Sequence, residues 1–292
     1  MDTATDPNTL RERRRALPGS VGFVPTMGFL HDGHLSLMEL ARQRCDHLVV
    51  SIFVNPTQFG PDEDLDSYPR DLERDRRLCR DMGCDLLFTP SVGGIYADDH
   101  STTVEVAGLS DPLCGARRPG HFDGVSTIVS ALFHLVEPDV AVFGQKDYQQ
   151  LAIIRRMVRD LHFDIEILSG PIVREPDGLA LSSRNRYLTA SERAQATSLS
   201  RGLVAAHQAF TSDDVARIDR LKDIAAEPID AQPDTAIDYL QIVDPHSLQP
   251  LEDHQRIGDS GAVMALAVHL GEARLIDNLR LDHPLPQGLH GD

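Results

Sequence analysis

The first half of the chain alternates short apolar runs with longer amphipathic ones, and this restricts the possible folds more than any other feature. Strands are expected at 21–26, 48–54, 86–89, 140–143 and 165–168, and helices at 33–44, 71–82, 123–136 and 148–161. In the third helical run Val125, Ile128, Val129, Leu132 and Val136 share one face. Strands that alternate with helices pair in parallel and are covered on both faces, and their ligands collect beyond the carboxyl ends of the strands. Pro171, Pro176 and Gly178 then interrupt the pattern, as at a hinge or boundary. Helices are expected beyond it near 191–210 and 213–226, then strands at 237–243, 263–270 and 274–279. Gly271 lies between the last two as in a hairpin. The expectation is an α/β protein with a parallel-sheet domain over 1–173 and a smaller α+β domain with an antiparallel sheet over 174–292.

A chain of 292 residues, 41% of them hydrophobic, can bury a sizeable core in one large or two modest domains. No apolar run approaches the ~20 residues of a membrane span, and the N-terminal stretch with Asp2, Asp6 and Arg11 to Arg15 lacks the apolar core of a secretory signal. A cytoplasmic enzyme is expected. The formal net charge of −17 argues against nucleic acid or anionic membrane as the main partner. Cys45, Cys79, Cys84 and Cys114 show no paired spacing, so they read as small buried hydrophobes or free thiols. Of 28 basic residues only Lys146 and Lys222 are lysine. Neither G-x-x-x-x-G-K nor G-x-G-x-x-G is present.

The most specific local signal is the segment Val24 to His34. It contains Met27, Gly28, Phe29, Leu30, His31, Asp32, Gly33 and His34, and runs from the end of a strand into a helix start. Unsatisfied N–H groups and the positive end of the helix dipole attract phosphate there, and imidazoles can donate to a pyrophosphate. Gly28 permits a sharp turn and Gly33 a close backbone approach.

Other groups also follow expected strands. Asn55 and Gln58 offer amides, which bind hydroxyls and carboxylates without adding charge, although Asn-Pro alone reads equally as a turn. The acidic run Asp62 to Asp66 reads as a solvated loop. Arg117, Arg118 and His121 precede a helix start that Asp123 could cap. Gly144, Gln145, Lys146 and Asp147 lie between a strand and a helix, where Asp147 could also be a simple cap. Leu181, Ser182, Ser183 and Arg184 combine hydroxyls with a guanidinium, which suits phosphate but also an ordinary polar loop.

The His31-x-Gly33-His34 segment resembles the His-x-Gly-His signature of nucleotidylyltransferases and class I aminoacyl-tRNA synthetases. The fuller string Pro25-Thr26-Met27-Gly28-x-Leu30-His31-x-Gly33-His34 is similar to the pantothenate synthetase (pantoate–β-alanine ligase) family. The resemblance covers motifs from about residue 20 to 190, and 238–245 and 274–278 also look like that family's C-terminal domain. It implies a Rossmann-like sheet, ATP as substrate with Mg2+, pantoate and β-alanine as the other substrates, and a homodimer.

It also implies roles for individual residues. His31, His34, Lys146 and Arg184 would be catalytic. Residues 27–34, Gly144, Gln145, Lys146, Asp147, Val173, Leu181, Ser182, Ser183 and Arg184 would bind ATP, with Gly144 and Asp147 on the ribose and Val173 beside adenine through its backbone. Gln58, Gln150, Asn55 and Arg118 would bind pantoate or β-alanine, His121 would line the pocket, and Asp75 would be connected with magnesium. The loop 181–186 resembles the mobile Lys-Met-Ser-Lys-Ser loop of related ligases.

The reaction implied is adenylation of pantoate followed by attack of the amine of β-alanine. A nucleotidylyltransferase acting on a phosphorylated alcohol shares the two histidines but should need more cations for the acceptor phosphate, whereas Gln58 and Gln150 favour an uncharged polyol-carboxylate. An ATP-sensing module would not need Lys146, Ser182, Ser183 and Arg184 together.

Overall fold

The computed structural model describes residues 1–61, 63, 65–212, 217–258, 260–286 and 289. Its contacts divide it into two units. The first comprises Met1–Ser110, Arg117–Gln145 and Gln150–Gly170. The second comprises Asp111–Ala116, Lys146–Gln149 and Pro171–Asp292.

The first unit is built on a six-stranded, wholly parallel sheet of β1 (Asp2–Ala4), β2 (Val21–Thr26), β3 (His47–Ile52), β4 (Leu86–Phe88), β5 (Val140–Gly144) and β6 (Glu166–Gly170). The spatial order is β1-β4-β3-β2-β5-β6. Val21 to Thr26 pair residue for residue with His47 to Ile52, and Gly22 and Phe23 pair with Val140 and Ala141. The chain builds outward from β2 through β3 to β4, then resumes on the other side at β5. The β2/β5 junction is therefore the topological switch point, where a doubly wound sheet opens a crevice for ligands.

Helices α1 (Pro7–Arg15), α2 (Asp32–Arg44), α3 (Leu72–Asp81), the single turn α4 (Val92–Ile95), α6 (His121–Val136) and α7 (Tyr148–Asp160) connect the strands; the single turn α5 (Cys114–Arg117) falls mostly in the second unit. The strands are nearly continuous apolar runs because both faces are covered: Val21, Phe23, Val24, Leu48, Val49 and Val50 have no exposed surface. On one face Phe133 of α6 meets Phe23 and Phe143 edge-on at 6.4 and 6.3 Å. On the other, Val24, Val50 and Val142 pack with Leu30, Met38 and Ala41. Each such buried side chain contributes roughly 1.5–3 kcal/mol.

Sequence expectation and structure part at two places in this unit. β1 and α1 were not expected. Helix α6 starts at His121 with Gly120 as its cap residue, in the left-handed region at φ +79°, so Asp123 is not the cap but a first-turn acid facing the helix dipole. Asn55-Pro56 opens a 3₁₀ turn (Pro56–Gln58), in keeping with the reading of Asn-Pro as a turn.

The second unit has a three-stranded antiparallel sheet, β7 (Thr235–Val243), β8 (Val263–Leu270) and β9 (Ala273–Arg280), and helices α8 (Ala190–Ala196), α9 (Ser198–Thr211) and α10 (Ile218–Asp230). Leu270 pairs with Ala273 across a two-residue turn whose Gly271 has φ +57°. The expected helix over 191–210 is two helices that break at Thr197, and residues 213–216 of the next expected helix lie outside the described residues. Leu199, Leu203, Leu221, Ala225, Met264, Leu266 and Val268 form this unit's own core.

The four cysteines are free thiols, three of them buried. Burial pushes the thiols of Cys79 and Cys84 up to about 12, so they are inert at neutral pH.

Candidate active site

In the first unit, β2 ends at the switch point and the chain turns at Gly28 (φ +84°). A Cβ at that position would press on Ile52 and Asp75. Phe29 follows with φ +50°, an uncommon conformation for a bulky residue. Asp75 of α3 holds this turn: its carboxylate accepts from the N–H of Phe29 at 2.7 Å and of Leu30 at 2.9 Å. Arg74 bonds the Leu30 carbonyl at 2.7 Å and lies over the Phe29 ring.

His31 is the N-cap residue of α2 and His34 lies in its first turn, so the expected strand-to-helix placement is found. The rings lie 4.1 Å apart by centroid. His34 Nδ1 accepts from the N–H of His31 at 3.3 Å, so the proton of a neutral His34 sits on Nε2. That leaves Nε2 as a donor beside the positive end of a helix, an arrangement suited to a phosphate oxygen.

Asp75 is 1% exposed and its oxygens serve these backbone groups. Burial pushes its carboxyl up, partly offset by the two N–H bonds and the Arg74 charge. It offers no open face to magnesium. Among the described residues no group of three or more histidine, cysteine, aspartate or glutamate side chains could hold a metal ion. These residues do not fit a resident metal.

Asn55, 1% exposed, and Gln58, 8% exposed, follow β3. The Asn55 amide donates to the Gly124 carbonyl at 3.0 Å and to Gln58 Oε1 at 3.2 Å. Gln58 Nε2 reaches Met27 Sδ at 3.0 Å, which joins the amide loop to the histidine loop. The Gln58 backbone carbonyl accepts from His121 Nδ1 at 2.7 Å and Arg118 at 3.3 Å. A carbonyl only accepts, so His121 carries its proton on Nδ1, while its Nε2 faces Arg118 at 3.0 Å.

Arg118, expected on substrate, is held by Glu63 through two hydrogen bonds, one of 2.6 Å. Burial raises the Glu63 carboxyl, but the Arg118 hydrogen bond and charge outweigh it and hold the group below its ordinary value. Glu63 is thus half-buried in an ion pair, whereas Asp66 of the same acidic run is exposed as a solvated loop would have it; Asp62 and Asp64 lie outside the described residues. Gly144 ends β5, which pairs with β2, and Gln145 follows it, bonded to Ser169 at 3.4 Å. Gln150 is partly exposed in the first turn of α7.

In the second unit, Lys146 and Asp147 lie in a 3₁₀ turn, their charged atoms 4.0 Å apart. The Lys146 carbonyl accepts from the Asn278 side chain at 2.8 Å. Val173 and Leu181 are paired by a 2.9 Å backbone bond across a turn at Gly178 (φ +90°). Ser182 caps the 3₁₀ turn Ser183–Tyr187, accepting from the Arg184 N–H at 3.3 Å. That turn packs on β9. Strand β9 therefore serves both the Lys146 turn and the Ser182–Arg184 turn.

The residue before Asn278, Asp277, makes a two-bond ion pair with Arg174 at 2.6 and 2.8 Å, each side chain 2% exposed. Arg174 was not singled out from the sequence; Glu63 was read only as part of the acidic run 62–66, and Asp277 and Asn278 only as part of the resemblance over 274–278. The ion pairs Arg174–Asp277 and Arg118–Glu63 join residues far apart in order, which local pattern does not show.

A parallel doubly wound sheet, with a histidine-bearing helix N-terminus at its switch point, defines an α/β protein of the nucleotide-binding class. Comparison with known proteins narrows this. The model of the family described as "Pantoate-beta-alanine ligase" matches residues 2–280, and the chain belongs to that family. It is 52% identical over 268 residues to a pantothenate synthetase of Geobacter sp. (strain M21), covering 92% of this chain and 93% of that one. The crystal structure of pantothenate synthetase from Thermus thermophilus superposes with a TM-score of 0.89 at 48% identity, covering 96% of this chain and 99% of that one. A pantoate-beta-alanine ligase from Francisella tularensis, complexed with beta-gamma ATP and beta-alanine, matches with a TM-score of 0.78 at 32% identity, covering 97% and 99%.

Proposed function

We propose that this enzyme joins pantoate to β-alanine at the expense of ATP through a pantoyl-adenylate, releasing pyrophosphate and then AMP. The observation that carries the reading is His34 in the first turn of α2 at the switch point, with Nε2 as its donor. ATP arrives with Mg2+ on its own phosphate oxygens, which spares the protein a metal cage.

The pantoate carboxylate is already ionised at neutral pH and needs no base. It attacks the α-phosphorus, the bond to the β-phosphate oxygen breaks, and charge builds on pyrophosphate. The family resemblance assigns His31, His34, Lys146, Ser182, Ser183 and Arg184 to the phosphates, Gly144 and Asp147 to the ribose and the Val173 backbone to adenine. Gln58 and Gln150 take pantoate. The amine of β-alanine then attacks the acyl carbon and AMP leaves. Fixed donors and positioning supply most of the rate.

The test is AMP release by the purified protein with each substrate omitted in turn. AMP that requires pantoate and β-alanine together, with pyrophosphate–ATP exchange that requires pantoate alone, is the expected result. AMP release indifferent to pantoate would overturn the reading. The protein is proposed to act as a homodimer in the cytoplasm; a monomer mass by light scattering would remove the first of these.

A further inference from the structure

We propose that Tyr96 and Thr57 are positioning residues which act through Asn55 to present Gln58 to the substrate as an obligate hydrogen-bond donor. The inference rests on the reading of Gln58 as a hydroxy-acid contact and adds what sets its polarity.

The chain of bonds starts at a group whose direction is not in doubt. The Gly124 carbonyl can only accept, so the Asn55 atom 3.0 Å from it is the amide nitrogen. The Asn55 oxygen must then face the other way, where the Tyr96 hydroxyl donates to it at 2.8 Å and the Thr57 hydroxyl at 3.0 Å. Burial pushes the Tyr96 hydroxyl up, and it stays a protonated donor at any physiological pH. The second Asn55 N–H goes to Gln58 Oε1 at 3.2 Å. A turned-over Gln58 would set two amide nitrogens against each other. Its Nε2 is therefore the end that remains, 3.0 Å from Met27 Sδ.

A thioether is a weak acceptor, so a hydroxyl or carboxylate oxygen is the better partner for Nε2. An ammonium group, which has only hydrogens to offer, is refused there. The polarity thus selects a hydroxy acid over the corresponding amino acid. Asn55 itself has both N–H groups and its oxygen engaged, so its part is to orient Gln58 rather than to touch substrate. His121 and Arg118 fix the backbone end of the same residue.

The test compares the parent enzyme with Tyr96→Phe, Thr57→Val, the double variant and Gln58→Glu, measuring KM separately for pantoate and ATP. Stripping both donors from the buried Asn55 oxygen should raise KM for pantoate roughly ten-fold, the scale of a buried carbonyl left unpaired, with KM for ATP unchanged. Each single variant should fall between. Gln58→Glu, whose carboxylate cannot donate, should lose pantoate binding at neutral pH. Its activity relative to parent should then recover as pH falls and the new carboxyl gains a proton. A double variant with parental KM for pantoate, or with both KM values raised alike, overturns the relay. So does a Gln58→Glu variant that keeps the parental KM at neutral pH. A parent enzyme that shows no pantoate dependence overturns the proposed function instead, and the relay with it.

Discussion

At the scale of single residues, the site depends on a few side chains whose work is to hold others. His34 and Lys146 are donors proposed to serve the departing pyrophosphate. Replacing either by alanine should cut pantoate-dependent pyrophosphate–ATP exchange by about 10²–10³-fold, the usual cost of one preorganised donor, with the fold intact by circular dichroism. Gly124 is a different case. A Cβ there would drive into the Thr57 carbonyl closer than real atoms approach. Gly124→Ala should therefore destabilise by about 1–3 kcal/mol and disturb the Asn55–Gln58 turn, read as a lowered urea midpoint together with a raised KM for pantoate.

Glu63 supplies a pH test. Its folded-state carboxyl titrates below the ordinary 4.5. Its contribution to stability is therefore fully present above that value and disappears as pH falls through the folded-state value. Glu63→Gln should cost about 1 kcal/mol at neutral pH, and the difference from parent should close in acid. A difference independent of pH would show that the ion pair with Arg118 is not its source. None of these partnerships was legible in the sequence, for a common reason. Tyr96 is a lone aromatic in a loop, and Glu63 lies among three aspartates and a leucine over 62–66 while its partner is 55 positions away. Local pattern carries no signal for such pairs, whereas His31 and His34 announce themselves because both sit in one helical turn.

At the scale of elements, what could be read was what periodicity encodes. Strand β2 was expected at the bounds it has, because an apolar run ends at the turn-forming Met27-Gly28. Strands β3, β5, β7, β8 and β9 were placed to within two residues at either end. β1 escaped because three edge residues beginning with aspartate do not look like a strand. The break between α8 and α9 escaped because Thr197 keeps near-helical angles (φ −64°, ψ −16°) and the apolar spacing runs through it.

The most consequential element after β2 is β9, whose Asp277 and Asn278 connect the small sheet to the Val173 hairpin and the Lys146 turn. Arg174→Ala would leave Asp277 charged and buried without its partner. It should destabilise by about 3–5 kcal/mol in chemical denaturation, while replacement of both residues by apolar ones of similar volume should recover most of that loss. Equal losses in the single and double variants would show that packing, not charge, holds this junction.

At the scale of the whole molecule, 45 acidic residues against 28 basic ones leave a net −17 that must repel itself in dilute buffer. Thermal midpoints should therefore rise as salt is added from about 10 mM to about 150 mM, where the screening length falls from about 30 to about 8 Å. A midpoint flat or falling over that range would show that local ion pairs such as Arg174–Asp277 outweigh the long-range repulsion.

Lys146 to Gln149 are encoded from the turn after β5 into the first residues of α7, within the stretch that builds the six-stranded sheet, yet their contacts assign them to the smaller body. That interleaving makes the chain resistant to dissection. A fragment truncated after Gly170 would keep the lysine but lose the Asn278 amide that anchors its carbonyl, and the excised remainder would keep the amide without that carbonyl. A gene shuffled or split at the proline-marked seam therefore inherits two incomplete pieces rather than two modules.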